Sequence, residues 1–127
     1  MQHILFGKSV APLILLLAFL AAGCGETAQP PTAISLDQIP AELGKAFASA
    51  KGDIKELSGV SVAAVESKDF AKASMALDAL SQRPDLSKIQ GRTVAGAAMT
   101  INALLREAVS KGDQRAAQTL EHRRLTK

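Results

Sequence analysis

Cys24 is the only sulfur nucleophile in this chain of 127 residues, and it follows Leu20-Ala21-Ala22-Gly23, a run of small and apolar side chains. A single thiol cannot form an intramolecular disulfide, and with only His3 and His122 beside it the usual zinc-ligand sets cannot be assembled. His122 stands among Glu121, Arg123 and Arg124, the surroundings of a solvated surface residue. Asp53, Asp69 and Asp113 each follow a Lys or a Lys-Gly pair. In that setting they suit helix N-caps better than acid/base pairs, because a short carboxylate accepts hydrogen bonds from the unpartnered donors of a first helical turn. The chain carries no glycine-rich phosphate loop, no two-histidine helix motif and no calcium loop. The expectation is a protein that is not an enzyme and that uses no metal and no cofactor.

The residues ahead of Cys24 give it its setting. Met1 to Ser9 contain His3 and Lys8 and no acid, and Val10 to Ala22 run for thirteen residues without a polar side chain. This is the layout of a secretory signal peptide, and it is short for a permanent span, which needs about 20 apolar residues. Small residues immediately before Cys24 mark the point where a signal peptidase would cut. The stretch Leu20-Ala21-Ala22-Gly23-Cys24 resembles the lipobox of bacterial lipoproteins, with Ala21 at the position where Leu is most frequent. The resemblance covers the first 24 residues. It implies removal of residues 1–23, thioether lipidation of Cys24 and fatty acylation, as with palmitate, of the new amino terminus. It also implies a lipid-anchored protein of the cell envelope, and Gly25 after the Cys implies sorting to the outer membrane, facing the periplasm.

Beyond Cys24 the segment Gly25 to Ile34 is small and polar and carries Pro30 and Pro31, so residues 24–34 are expected to form a flexible tether. From Ser35 the chain is dominated by Ala, Leu, Lys, Glu, Gln and Arg, with no alternating strand pattern. The expectation for residues 35–127 is all-α: a small helical-hairpin bundle of about five helices. These run from Asp37 or Ile39 to Lys51, Asp53 to Ser67, Asp69 to Gln82, Ser87 to Lys111 and Asp113 to Leu125. Ser87 and Gln90 form a capping-box pair at the start of the fourth. Along that helix Val94, Ala97, Ala98, Ile101, Leu104, Leu105 and Ala108 recur at spacings of three and four, the stripe of a helix that buries one face. Gly96 lies inside it. A mid-helix Gly costs about 1 kcal/mol relative to Ala, so Gly96 either marks a tight crossing or weakens the helix.

Lys68-Asp69-Phe70-Ala71-Lys72-Ala73, with Leu77, Leu80 and Pro84, is similar to the second helix of a tetratricopeptide-type hairpin, and Val109 to Ala117 echoes its beginning. The Asp spacing departs from that family's period near 34 and its aromatic signature is missing. An irregular bundle that uses the same turn chemistry is therefore expected in place of a repeat array. The C-terminal half resembles small uncharacterised envelope lipoproteins that end in a charged helix.

Charge divides the chain. Residues 24–82 carry a net −3 and residues 83–127 a net +5. Nucleic-acid binding is not expected, since Phe47 and Phe70 are the only aromatics after Cys24 and both fall on apolar stripes. Two function classes remain. One is a protein-interaction module held on the membrane through lipidated Cys24, meeting an envelope protein through the exposed faces of helices three to five, with Arg106, Arg115, Arg123 and Arg124 as candidate binding residues. The other is a structural or stress-protective lipoprotein whose basic end, Glu121 to Lys127, meets anionic lipid or cell wall without a dedicated protein ligand.

Overall fold

Three of the helices in this chain start at a short polar side chain that caps the first turn: Asp69, Ser87 and Asp113. The computed structural model describes residues 30–127, and the compact unit runs from Pro31 to Lys127. It contains α1 (Ile39–Ala46), α2 (Gly52–Glu66), α3 (Phe70–Ser81), α4 (Lys88–Ser110) and α5 (Gln114–Leu125). Asp69 caps α3 by accepting from the Lys72 N–H at 3.1 Å, and Asp113 caps α5 by accepting from the Ala116 N–H at the same distance. At the start of α4 the Ser87 hydroxyl accepts from the Gln90 N–H and the Gln90 carboxamide oxygen accepts from the Ser87 N–H. The all-α helical bundle expected from composition and periodicity is the observed architecture. Residues 1–29, which carry the expected signal peptide, Cys24 and most of the expected tether, lie outside the described residues.

The structure departs from the expected boundaries in two places. Helix α1 stops at Ala46 and not at Lys51. The Ala46 carbonyl, which a continuing helix would offer to residue 50, accepts from the Gln90 side-chain amide at 3.2 Å, and the Ala50 N–H turns back to the Phe47 carbonyl at 3.0 Å. Asp53, read as an N-cap, makes no capping hydrogen bond. Its carboxylate accepts from Arg83 Nη1 at 2.7 Å and pins the start of α2 to the α3–α4 loop.

The turns α2–α3 and α4–α5 are closed identically, 44 residues apart. Lys68 N–H donates to the Val65 carbonyl and Asp69 N–H to that of Ala64; Gly112 N–H donates to Val109 and Asp113 N–H to Ala108. This is the Schellman closure, in which the last helical carbonyls are satisfied by a left-handed residue and its successor. Gly112 takes the left-handed position at φ +89°, whereas the first turn places Lys68 there at φ +59°. A side chain in that region costs about 1–2 kcal/mol. Lys68→Gly is therefore expected to stabilise the domain by about 0.5–1 kcal/mol, after allowance for the greater freedom of Gly in the unfolded chain. Chemical denaturation checks this, and a loss of stability would refute the account of the turn. On the last turn of α4, the Lys111 ammonium donates to Glu107 at 2.7 Å and holds its carboxyl below the ordinary value of 4.5. Because the folded value is the lower one, the pair's contribution is present above that ordinary value and is lost as pH falls through the folded value.

Burial follows the stripes. Ile39, Leu43, Leu77, Leu80, Val94 and Ile101 form the closed centre of the core. Helix α3 packs on α2, α4 and α5, and α1 bridges α2 and α4, whereas α2 and α5 do not pack on each other. Between the latter two the outer side of α3 is left uncovered.

The entering chain is the last element of the core. Thr32 to Ile34, expected as the end of the tether, lie on α4 inside the compact unit. Ile34 N–H donates to the Gly96 carbonyl at 3.2 Å, and the Thr100 hydroxyl donates to the Ile34 carbonyl. A Cβ on Gly96 would stand 2.5 Å from the Thr32 carbonyl oxygen and 2.9 Å from Ile34 Cγ1. Gly96 is thus a tight crossing, made with an extended segment and not with another helix.

Candidate interaction groove

The uncovered side of α3 is a groove. Met75 lines it and is 58% exposed. Leu57 and Val60 of α2 form one wall, Ala76 and Ala79 of α3 the floor, and Thr119 of α5 the other wall, around about 400 Å³. A second depression of about 260 Å³ continues from Met75, Arg115 and Thr119 to Gln118 and His122. Its α5 lining, Arg115, Thr119 and His122, follows the three-and-four spacing that puts residues on one helical face.

The groove has a sign. Lys72 and Arg115 stand on its lining, and no carboxylate does. Lys72 makes no ion pair among the described residues, and Arg115 reaches Asp69 at 3.2 Å while remaining largely solvated. The site can take an apolar ridge and offer two cationic donors at its edge, the Lys72 ammonium and the Arg115 guanidinium. Among the described residues no group of three or more His, Cys, Asp or Glu side chains is placed to hold a metal ion, and no helix is long and apolar enough to cross a membrane.

The four arginines read as one binding surface are separated by the fold. Arg115 faces the groove. Arg123 turns inward: its Nε and Nη2 donate to the two Asp78 oxygens at 2.6 and 2.9 Å, and its Nη1 donates to the Asn102 side-chain oxygen. Its side chain is only 14% exposed, so it ties α5 to α3 and α4 and offers little to a partner. Arg124 points to solvent and approaches Glu121 at 3.8 Å, and Arg106 lies on the outer face of α4 with no ion pair among the described residues. His122 is exposed, as expected, and lines the second depression.

Met75 was the informative residue that sequence reasoning did not single out. It sits off the stripe Phe70, Ala73, Leu77 and Leu80, and an apolar residue off its stripe is the signal that would have found it. Compared with protein-family models, curated proteins and solved structures, the chain matches none.

Proposed function

We propose that this chain is a bacterial envelope lipoprotein, held on the membrane by lipid on Cys24, whose helical-hairpin domain is a protein-interaction module and not an enzyme. The observation that carries the interaction reading is the α3 groove, apolar at its floor around exposed Met75 and cationic at its edge through Lys72 and Arg115. An amphipathic helix of a partner protein, apolar along one face and flanked by Asp or Glu, fits that arrangement. Its apolar face would bury Met75, and its acids would meet Lys72 and Arg115.

Support for the anchor comes from the residues around Cys24. Each buried acyl CH₂ contributes about 0.8 kcal/mol, so one chain binds marginally while two or more give a stable anchor. Cys24→Ser is expected to abolish lipid attachment and to leave a larger, unprocessed precursor. Intact mass and detergent partition check it, and wild-type and variant chains of equal processing would remove the anchor from the account. The groove is tested separately. Met75→Glu places a charge on the apolar floor and is expected to abolish co-isolation of the partner while leaving the helical circular dichroism spectrum unchanged. Co-isolation unaffected by Met75→Glu would contradict the groove reading.

A further inference from the structure

Three cations stand along the outer face of α4. Lys88, Arg92 and Arg106 are exposed, and none makes an ion pair among the described residues. Positions 88, 92, 99 and 106 are spaced by four, seven and seven, which places them on one stripe of the helix. Met99 lies on that stripe at 46% exposure, and Ile89 beside it is 72% exposed. The only carboxylate of α4 is Glu107, and Lys111 already occupies it. From Lys88 to Arg106 the stripe extends about 27 Å at 1.5 Å per residue. It faces away from the core side of α4, where Val94, Ala97, Ile101 and Leu105 are buried.

An independent observation places this stripe beside the point where the chain enters the fold. Thr32 and Ile34 lie against Gly96, and the Thr100 hydroxyl bonds the Ile34 carbonyl. On a helix at 100° per residue, Gly96 is within a quarter turn of Arg92, Met99 and Arg106. From Cys24 to Thr32 the chain spans at most about 29 Å fully extended. A lipid on Cys24 would therefore hold the membrane surface within that distance of the entry point on α4.

We infer that the outer face of α4, Lys88, Arg92 and Arg106 around Met99 and Ile89, is a membrane-facing surface that docks the domain onto anionic lipid headgroups. The inference rests on the lipid anchor of the preceding section for the nearness of the bilayer, and on the α4 face for its orientation. Each Lys or Arg near an anionic surface contributes about 1 kcal/mol, so three shift the ratio of docked to undocked domain by roughly a hundredfold. Met99 and Ile89 supply apolar contact at the headgroup boundary. The basic C-terminal end is a poorer candidate, because Arg123 is spent on Asp78 and Asn102 and Arg124 sits beside Glu121. The α3 groove shares no lining residue with the α4 stripe and stays open to a protein partner in this orientation.

The chain has no Trp, so single reporters can be placed in it. Full-length protein carrying Met99→Trp or Met75→Trp is reconstituted into phosphatidylglycerol/phosphatidylcholine vesicles that contain headgroup-nitroxide lipid. The Met99→Trp emission is expected to be quenched severalfold more than that of Met75→Trp. The difference is expected to vanish in pure phosphatidylcholine, on Lys88→Glu with Arg92→Glu and Arg106→Glu, and at about 1 M salt, where the screening length is about 3 Å. Equal quenching of the two reporters on vesicles that retain the protein would overturn the docking surface while leaving the anchor in place. A difference that survives the triple charge reversal would overturn the assigned residues. Protein that is not retained on the vesicles and lacks lipid by mass would overturn the anchor, and the inference with it.

Discussion

Gly96→Ala is expected to destabilise the domain by about 2 kcal/mol, although Ala is the better helix former by about 1 kcal/mol. The new methyl would meet the Thr32 carbonyl oxygen at 2.5 Å, and a backbone atom cannot swing aside as a side-chain tip can. Relief requires that the entering segment lift from α4. Lifting it forfeits the Ile34 N–H bond to the Gly96 carbonyl, the Thr100 bond to the Ile34 carbonyl and the contact of half-buried Ile34 with the core. Each hydrogen bond contributes about 1 kcal/mol net, and burial of an Ile side chain about 1.5–3 kcal/mol when complete. The control is Gly91→Ala in the first turn of the same helix, where an added Cβ meets nothing within 4 Å. That substitution is expected to stabilise by up to about 1 kcal/mol. Urea denaturation of the two variants should give opposite signs, and equal gains in stability would show that residues 32–34 do not rest on α4.

Arg123→Ala is expected to cost about 2–3 kcal/mol and to loosen α5 before the rest of the fold. Exposed ion pairs contribute about 0–1 kcal/mol, and breaking a fully buried one costs about 3–5 kcal/mol. The Arg123–Asp78 fork lies between those limits, with side chains 14% and 27% exposed, and it is bidentate. Removing the guanidinium also leaves the Asn102 oxygen without its donor. Helix α5 has little else to hold it, since Ala116 is its only buried residue and Leu120 is partly covered. Hydrogen exchange should therefore accelerate in α5 first. Arg124→Ala, whose nearest acid is 3.8 Å away and exposed, should be nearly silent. An Arg123→Ala variant as stable as Arg124→Ala would mean that packing alone holds α5.

The helices were legible because their signals are local. Asp69, Asp113, Ser87 and Gln90 cap the next few residues of their own chain, and spacing alone reports which side of α4 is buried. What was not legible depends on residues distant in sequence. Asp53 gives up its cap to pair with Arg83, 30 residues on. Helix α1 ends early because Gln90, 44 residues away, takes the Ala46 carbonyl. Arg123 looked like surface because nothing near it announces Asp78 or Asn102. The groove exists only because α2 and α5 both pack on α3 without meeting, a fact of tertiary arrangement that no local pattern contains. Gly96 was readable as a site of close approach, but its partner segment was read as tether.

The α4 stripe and the α3 groove use different residues, so the two proposed contacts, with a bilayer and with a partner protein, would not compete. Electrostatics assigns different roles to cations of similar appearance: Arg123 secures a helix, Arg115 borders a groove, and Arg106 makes no ion pair among the described residues on the outer face of α4.

The most direct test of the interaction reading is site-specific photocrosslinking in cells from position 75 of the full-length chain, with position 89 on α4 as the control. A discrete adduct from position 75 is expected, with an envelope protein crosslinked through an amphipathic, acid-flanked helix. Lys72→Glu with Arg115→Glu should abolish that adduct, and position 89 should not form it. Absence of any discrete adduct at position 75, or the same adducts from both positions, would contradict a protein-binding groove on α3.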